Sequence, residues 1–112
     1  MSQKIIFEIQ ADICHRMSNP IRIEIVHVLR EGPMRVSEIV RLTGHQQTKV
    51  SRHLSVLRQG GIVSSERVGQ EIIYQIANPK IVSICDLMRE FLIEETSRRS
   101  NLVDDSLNEP QV

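Results

Sequence analysis

The chain has 112 residues with 14 basic and 14 acidic side chains, zero net charge, 40% hydrophobic residues and only 3% aromatic ones. That length suits one domain with a modest core, at the lower end of independent stability, and leaves no room for anything larger. Taken as a whole, the charge balance is not that of a nucleic-acid binder, no apolar run approaches a membrane span, and the two cysteines form no CxxC motif.

The first residues, MSQKIIFEIQ, place Glu8 and Gln10 where a signal peptide needs unbroken apolarity, so a cytoplasmic protein is expected. From about Ser2 to Met17, Ile5, Ile9, Ile13 and Met17 recur four apart with Ile6, Phe7 and Cys14 beside them, which predicts an amphipathic helix with a wide apolar face. Ser18, Asn19 and Pro20 break and restart it, with Asn19 as cap and Pro20 at the first helical position. The restarted helix, Pro20 to Arg30, is apolar nearly all round and is expected to be the central buried one, with His27 as a core or interface histidine. Gly32 and Pro33 end it.

The stretch from Val36 to Val63, VSEIVRLTGHQQTKVSRHLSVLRQGGIV, reads as two short helices around one tight turn. The first carries Ser37 near its start and apolar Ile39, Val40 and Leu42, then reaches Gly44, which easily takes the left-handed conformation that ends a helix. The second, about Gln46 to Gln59, puts Val50, Leu54 and Leu57 on one face and leaves Gln47, Thr48, Lys49, Ser51, Arg52 and His53 outward. Those side chains suit base edges and phosphates. From Arg41 to Arg67 five cations oppose only Glu66, whereas from Asp86 onward three arginines oppose seven acids. Positive charge is thus concentrated on the helix-turn-helix.

Next, Ile62 to Val68 and Glu71 to Ala77 read as two strands joined across Gly69, either a wing whose Arg67 and Gln70 are placed to touch phosphate or a minor-groove edge, or a hairpin that only completes the core. Asn78 and Pro79 open a last helix with Ile81, Ile84, Cys85, Met88 and Leu92 in a stripe too broad for a small monomer to cover. From Thr96 to Val112 periodicity fades into a frayed or disordered tail, with room for the last helix to extend by a turn or two, so the expected domain is residues 1–95 and the tail 96–112.

The order of these elements, with KVSRHLSVLRQGGIV, then EIIYQI, over about residues 10 to 93, resembles the ArsR family (ArsR/SmtB-like) of winged-helix repressors. The resemblance implies a mainly α fold with a small β-hairpin, a winged helix-turn-helix in the order α-α-α-α-β-β-α, dimeric through its first and last helices. It also implies that two recognition helices meet successive major grooves of a palindromic double-stranded operator. DNA-binding candidates are Gln46, Gln47, Thr48, Lys49, Ser51, Arg52, His53, Arg67 and Gln70; dimerisation candidates are Ile5, Ile9, Ile13, Ile81, Ile84, Met88 and Leu92.

In that family the operator is usually released by a metal or by thiol oxidation. Here no cysteine lies near Val36 to Ile39, and Asn78, Pro79 and Lys80 stand where a carboxylate and imidazole zinc site would open. His27 occupies the position of the persulfide sensors' second-helix cysteine. Cys14 and Cys85, both on expected interface helices, remain as packed residues or as a redox or soft-metal switch. His15 is beside Cys14, but successive helix residues do not face each other. Ser51 has no accompanying base or oxyanion site, and there is no G-x-S-x-G or phosphate-binding glycine loop, so no enzyme is expected. The competing function is a winged-helix protein-interaction module whose polar helix face meets a protein, or a repressor with no small-molecule inducer.

Overall fold

The computed structural model describes residues 2–99, which form helices α1 (Gln3–Arg16), α2 (Pro20–Leu29), α3 (Val36–Thr43), α4 (Gln47–Gln59) and α5 (Lys80–Arg99), and strands β1 (Met34–Arg35), β2 (Val63–Val68) and β3 (Glu71–Ile76). Each helix begins where the sequence offers a stop or a cap. The Ser2 hydroxyl accepts from the Ile5 N–H at 3.3 Å, and the Asn19 carboxamide oxygen accepts from the Ile21 and Arg22 N–H groups at 2.9 and 3.4 Å. Pro20 then occupies the first turn, where its missing donor costs nothing. Helix α3 starts one residue before the expected Ser37, at Val36, and the Glu38 side chain reaches back to accept from the Arg35 N–H at 3.3 Å. Gly44 closes it at φ +77°, a backbone setting that a side chain would strain.

The core lies where α2, α3, α4 and the sheet meet. Ile25, Val26 and Leu29 of α2, Ile39 of α3, Val50, Leu54 and Leu57 of α4, and Ile62, Val63 and Tyr74 from the sheet region are buried, with Met34 beside them. Burying a side chain such as Leu54 stabilises by about 1.5–3 kcal/mol relative to exposure. The expectation that α2 is the central helix holds on this face, but not all round: Ile23 is exposed, and so is His27, which lies 3.3 Å from an Arg30 guanidinium nitrogen. His27 is therefore not a core histidine within the chain.

The sheet has three strands in the order β1-β3-β2, all antiparallel. The hairpin is the expected one, with Val68 opposite Glu71 across the two-residue turn Gly69–Gln70. Strand β1 was not expected: two residues are too few to show alternation, yet Met34 pairs with Tyr74 and Arg35 with Ile73. Arg35 also forms an ion pair with Glu71 at 2.8 Å.

The chain divides into two compact units, Met1–Val82 and Ser83–Val112. In the first, α1 has no buried residue, and Ile5, Ile6, Phe7 and Ile9 are exposed. In the second, the described part of α5 is likewise unburied, with Ile84, Leu87, Met88, Phe91, Leu92 and Ile93 exposed. Helix α5 continues to Arg99, a turn beyond residue 95, and the Thr96 hydroxyl donates to the Leu92 carbonyl at 2.7 Å. The remainder of the expected tail lies outside the described residues. No helix among the described residues is long and apolar enough to cross a membrane.

Candidate nucleic-acid interface

The face presented by α4 follows from its period. Val50, His53, Leu54 and Leu57 fall at i, i+3, i+4 and i+7 and all point inward. Gln47, Thr48, Lys49, Ser51 and Arg52 are consequently exposed, as is Gln46, which occupies the N-cap position. No side chain caps the N-terminus of α4 and its first turn carries no acid, so its backbone donors and the helix dipole present positive potential beside Lys49 and Arg52. Such an end accepts a phosphate readily.

His53 corrects the sequence reading. Expected outward among polar neighbours, it is only 5% exposed, because position 53 belongs to the buried stripe whatever its residue type. Its Nδ1 accepts from the Arg22 Nε–H at 3.1 Å, which places the ring's own proton on Nε2. Burial lowers the pKa of His53 from its ordinary value, and the positive charge of Arg22 lowers it further, with smaller contributions from Arg52, His45 and Lys49. The ring is thus withdrawn from the outward face of α4 and held on Arg22. It fixes α4 to the start of α2.

Two other contacts that position α4 were not read from the sequence. His45, in the turn before α4, lies with its Nε2 2.7 Å from the Glu24 carboxylate on α2. Arg16, at the end of α1, donates to the Val56 carbonyl of α4 at 2.8 Å. The partners in these contacts are 21 to 40 residues apart in sequence, and no local pattern announces them.

On the wing, Arg67 and Gln70 are exposed as expected, Arg67 opposite Ile72 and Gln70 in the turn. An Arg58 guanidinium nitrogen lies 3.5 Å from the Ser65 hydroxyl, which joins the end of α4 to β2. The wing and the outward face of α4 thus share one scaffold.

The sensing candidates differ in setting. Cys14 is exposed, Cys85 is half-buried, and neither is in a disulfide. Among the described residues of the single chain no three His, Cys, Asp or Glu side chains gather as a metal cage.

Comparison with known proteins agrees with this geometry. Residues 19–65 match the model of the bacterial regulatory protein arsR family. The transcriptional repressor PagR of Bacillus anthracis is 34% identical over 72% of this chain and 82% of its own, and its crystal structure aligns with a TM-score of 0.67 over 76% of this chain and 98% of that one. The crystal structure of Rv0081 of Mycobacterium tuberculosis, whose sequence is named an HTH-type transcriptional regulator, is 30% identical with a TM-score of 0.75 over 84% of this chain and 95% of that one. A homodimeric winged helix-turn-helix DNA-binding domain, Mb0332 from Mycobacterium bovis, is 25% identical with a TM-score of 0.76 over 87% and 90% of the two chains.

Proposed function

The chain belongs to the arsR family of bacterial regulatory proteins, and from that premise we propose that it is a homodimeric repressor of a palindromic operator. It is a DNA-binding transcriptional regulator of winged helix-turn-helix fold, in a family of regulators rather than enzymes. The observation that carries the finer reading is the polar, cationic face of α4, with an uncapped N-terminus beside Lys49 and Arg52. That face favours phosphate and base edges over a protein surface of mixed charge.

Dimerisation is supported by the exposed apolar side chains of α1 and α5, which include Ile5, Ile9, Ile84, Met88 and Leu92 of the candidate set, whereas Ile13 and Ile81 are half-buried. Ile84, Leu87, Met88 and Phe91 line one apolar hollow on α5. At about 25 cal/mol per Å² buried, pairing two copies is the direct way to remove such faces from water. Two copies of α4 then need a separation of about 34–36 Å to enter successive major grooves on one face of B-DNA. In this reading Gln46, Gln47, Thr48, Ser51 and Arg52 face bases, Lys49 faces phosphate, and Arg67 and Gln70 approach the flanking groove. Residues 1–95 act as one DNA-binding and dimerisation module.

Release through thiol chemistry at Cys14 or Cys85 is the finer regulatory reading, supported by the exposure of Cys14. The test of the function is selection of duplexes from a randomised pool by the purified protein, with its mass in solution measured in parallel. An inverted repeat bound by a dimer is the expected result. A monomer, or a dimer that selects no duplex above background, rules the reading out.

A further inference from the structure

Two glycines follow α4, and they are glycine for different reasons. Gly61 has φ +74°, a left-handed setting. Gly60 does not need one, since its φ of −85° and ψ of −2° are ordinary right-handed values open to any residue. What Gly60 lacks room for is a side chain: a Cβ there would lie 2.4 Å from Cδ and 2.9 Å from Nε of Arg16. The missing side chain is therefore a notch, and Arg16 of α1 lies in it.

Within the notch two of the guanidinium nitrogens of Arg16 are engaged. Its Nε pairs with Asp12, one turn earlier on α1, at 2.9 Å, and its terminal nitrogen donates to the Val56 carbonyl at 2.8 Å. Val56 is in the last turn of α4, where the helix dipole is negative, so a guanidinium is favoured there. The same carbonyl accepts from the Gly60 N–H at 3.3 Å. The backbone carbonyl of Arg16 in turn accepts from Arg22 at 3.3 Å, and Arg22 holds His53 one turn back along α4. Helix α4 is thus gripped at two successive turns from the α1–α2 junction.

We propose that Arg16 is a positioning residue for DNA binding, a clamp seated in the Gly60 notch that fixes the angle between recognition helix α4 and helix α1. The proposal rests on the dimeric-repressor reading, in which α1 belongs to the interface. There, the angle at this joint sets the separation and tilt of the two copies of α4, and operator affinity depends on it. Arg16 itself touches no base.

The decisive variant is Gly60→Ala, because an alanine methyl evicts only the flexible end of Arg16, adds no charge and removes none. Alanine also suits a right-handed position better than glycine, so thermal stability is expected to hold or rise. Binding to the full inverted repeat selected by the wild-type protein should nevertheless fall about tenfold, within the usual range of coupling between sites. Affinity for an isolated half-site should change less than about twofold, and preference among repeats with one base pair inserted or removed should flatten. A residue that merely stabilised the fold would make binding follow stability; here they part. Arg16→Met should give the same loss, and the double variant no more than either single one. In Arg16→Met, amide exchange at Gly60 should also quicken.

Unchanged binding of the full repeat by both variants overturns the proposal. So does loss in Arg16→Met alone with a salt slope lowered by about one, which marks a phosphate contact instead. If the wild-type protein binds no duplex, the repressor reading fails first and takes the clamp's function with it. If the wild-type protein does bind DNA, an unquickened Gly60 amide in Arg16→Met overturns the clamp alone.

Discussion

Arg22 donates from Nε to Nδ1 of His53 across 3.1 Å, joining the first turn of α2 to the middle of the recognition helix through a side chain that is 95% withdrawn from solvent. The bond needs a neutral imidazole, since a protonated ring would turn a donor toward the guanidinium.

Stability should accordingly depend on pH through His53. Its folded pKa lies below the ordinary value of 6.5, so between 6.5 and the lowered value the unfolded chain binds a proton that the folded chain does not. Stability from this group is complete above pH 6.5 and is lost as pH falls toward the folded pKa, at a limiting slope of about 1.4 kcal/mol per pH unit. Urea unfolding at fixed protein concentration, from pH 7.5 to 5.5, should show stability falling below pH 6.5 in the wild type and falling less in His53→Gln. Equal slopes would remove His53 from the account.

The outward face of α4 predicts separable effects. Arg52→Ala and Gln47→Ala should each cost about 1–3 kcal/mol on the selected operator and relax sequence preference at one position per half-site. Lys49→Ala should weaken all sequences alike and lower the slope of log K against log salt by about one. Anisotropy titrations at several salt concentrations distinguish these, and operator binding by an Arg52→Ala, Gln47→Ala protein at physiological salt would show that another face reads the DNA.

Ile84→Asp combined with Met88→Asp places two charges on an apolar face that the single chain leaves exposed, so folding should survive while self-association does not. Sedimentation at micromolar concentration should find a folded monomer with little affinity for the full repeat. A persistent dimer would locate the interface elsewhere.

Cys14→Ser is expected to blunt release of the operator by oxidant, with Cys85→Ser as the comparison. Release measured by the same titration, unaltered in both proteins, would exclude thiols as the signal.

Asn19→Ala removes the acceptor for two N–H groups at the start of α2, and should cost about 1 kcal/mol in thermal or urea unfolding.

Elements of this fold were legible in proportion to how local their causes are. Gly44, Asn19 and the apolar spacing of α4 each declare themselves within a few residues, and the structure has them in those roles. His53 was misread because residue type was allowed to outweigh position: it stands three residues after Val50 and four before Leu57, on the buried stripe. Strand β1 is too short for a period to exist. Nothing local marks Arg16 or Arg22, since their partners on α4 are 40 and 31 residues away. What the sequence shows is which side chains α4 offers. How α4 is held became visible only in three dimensions.

Strand β1 runs into α3 without an intervening residue: Arg35 ends the strand, precedes the first helical residue Val36, and carries the ion pair to Glu71, the first residue of β3 beside the turn of the wing. The wing and the helix pair are thus tied at this joint without a linker, and where a duplex does not match their curvature, flexible base steps between contacts would contribute to what is recognised.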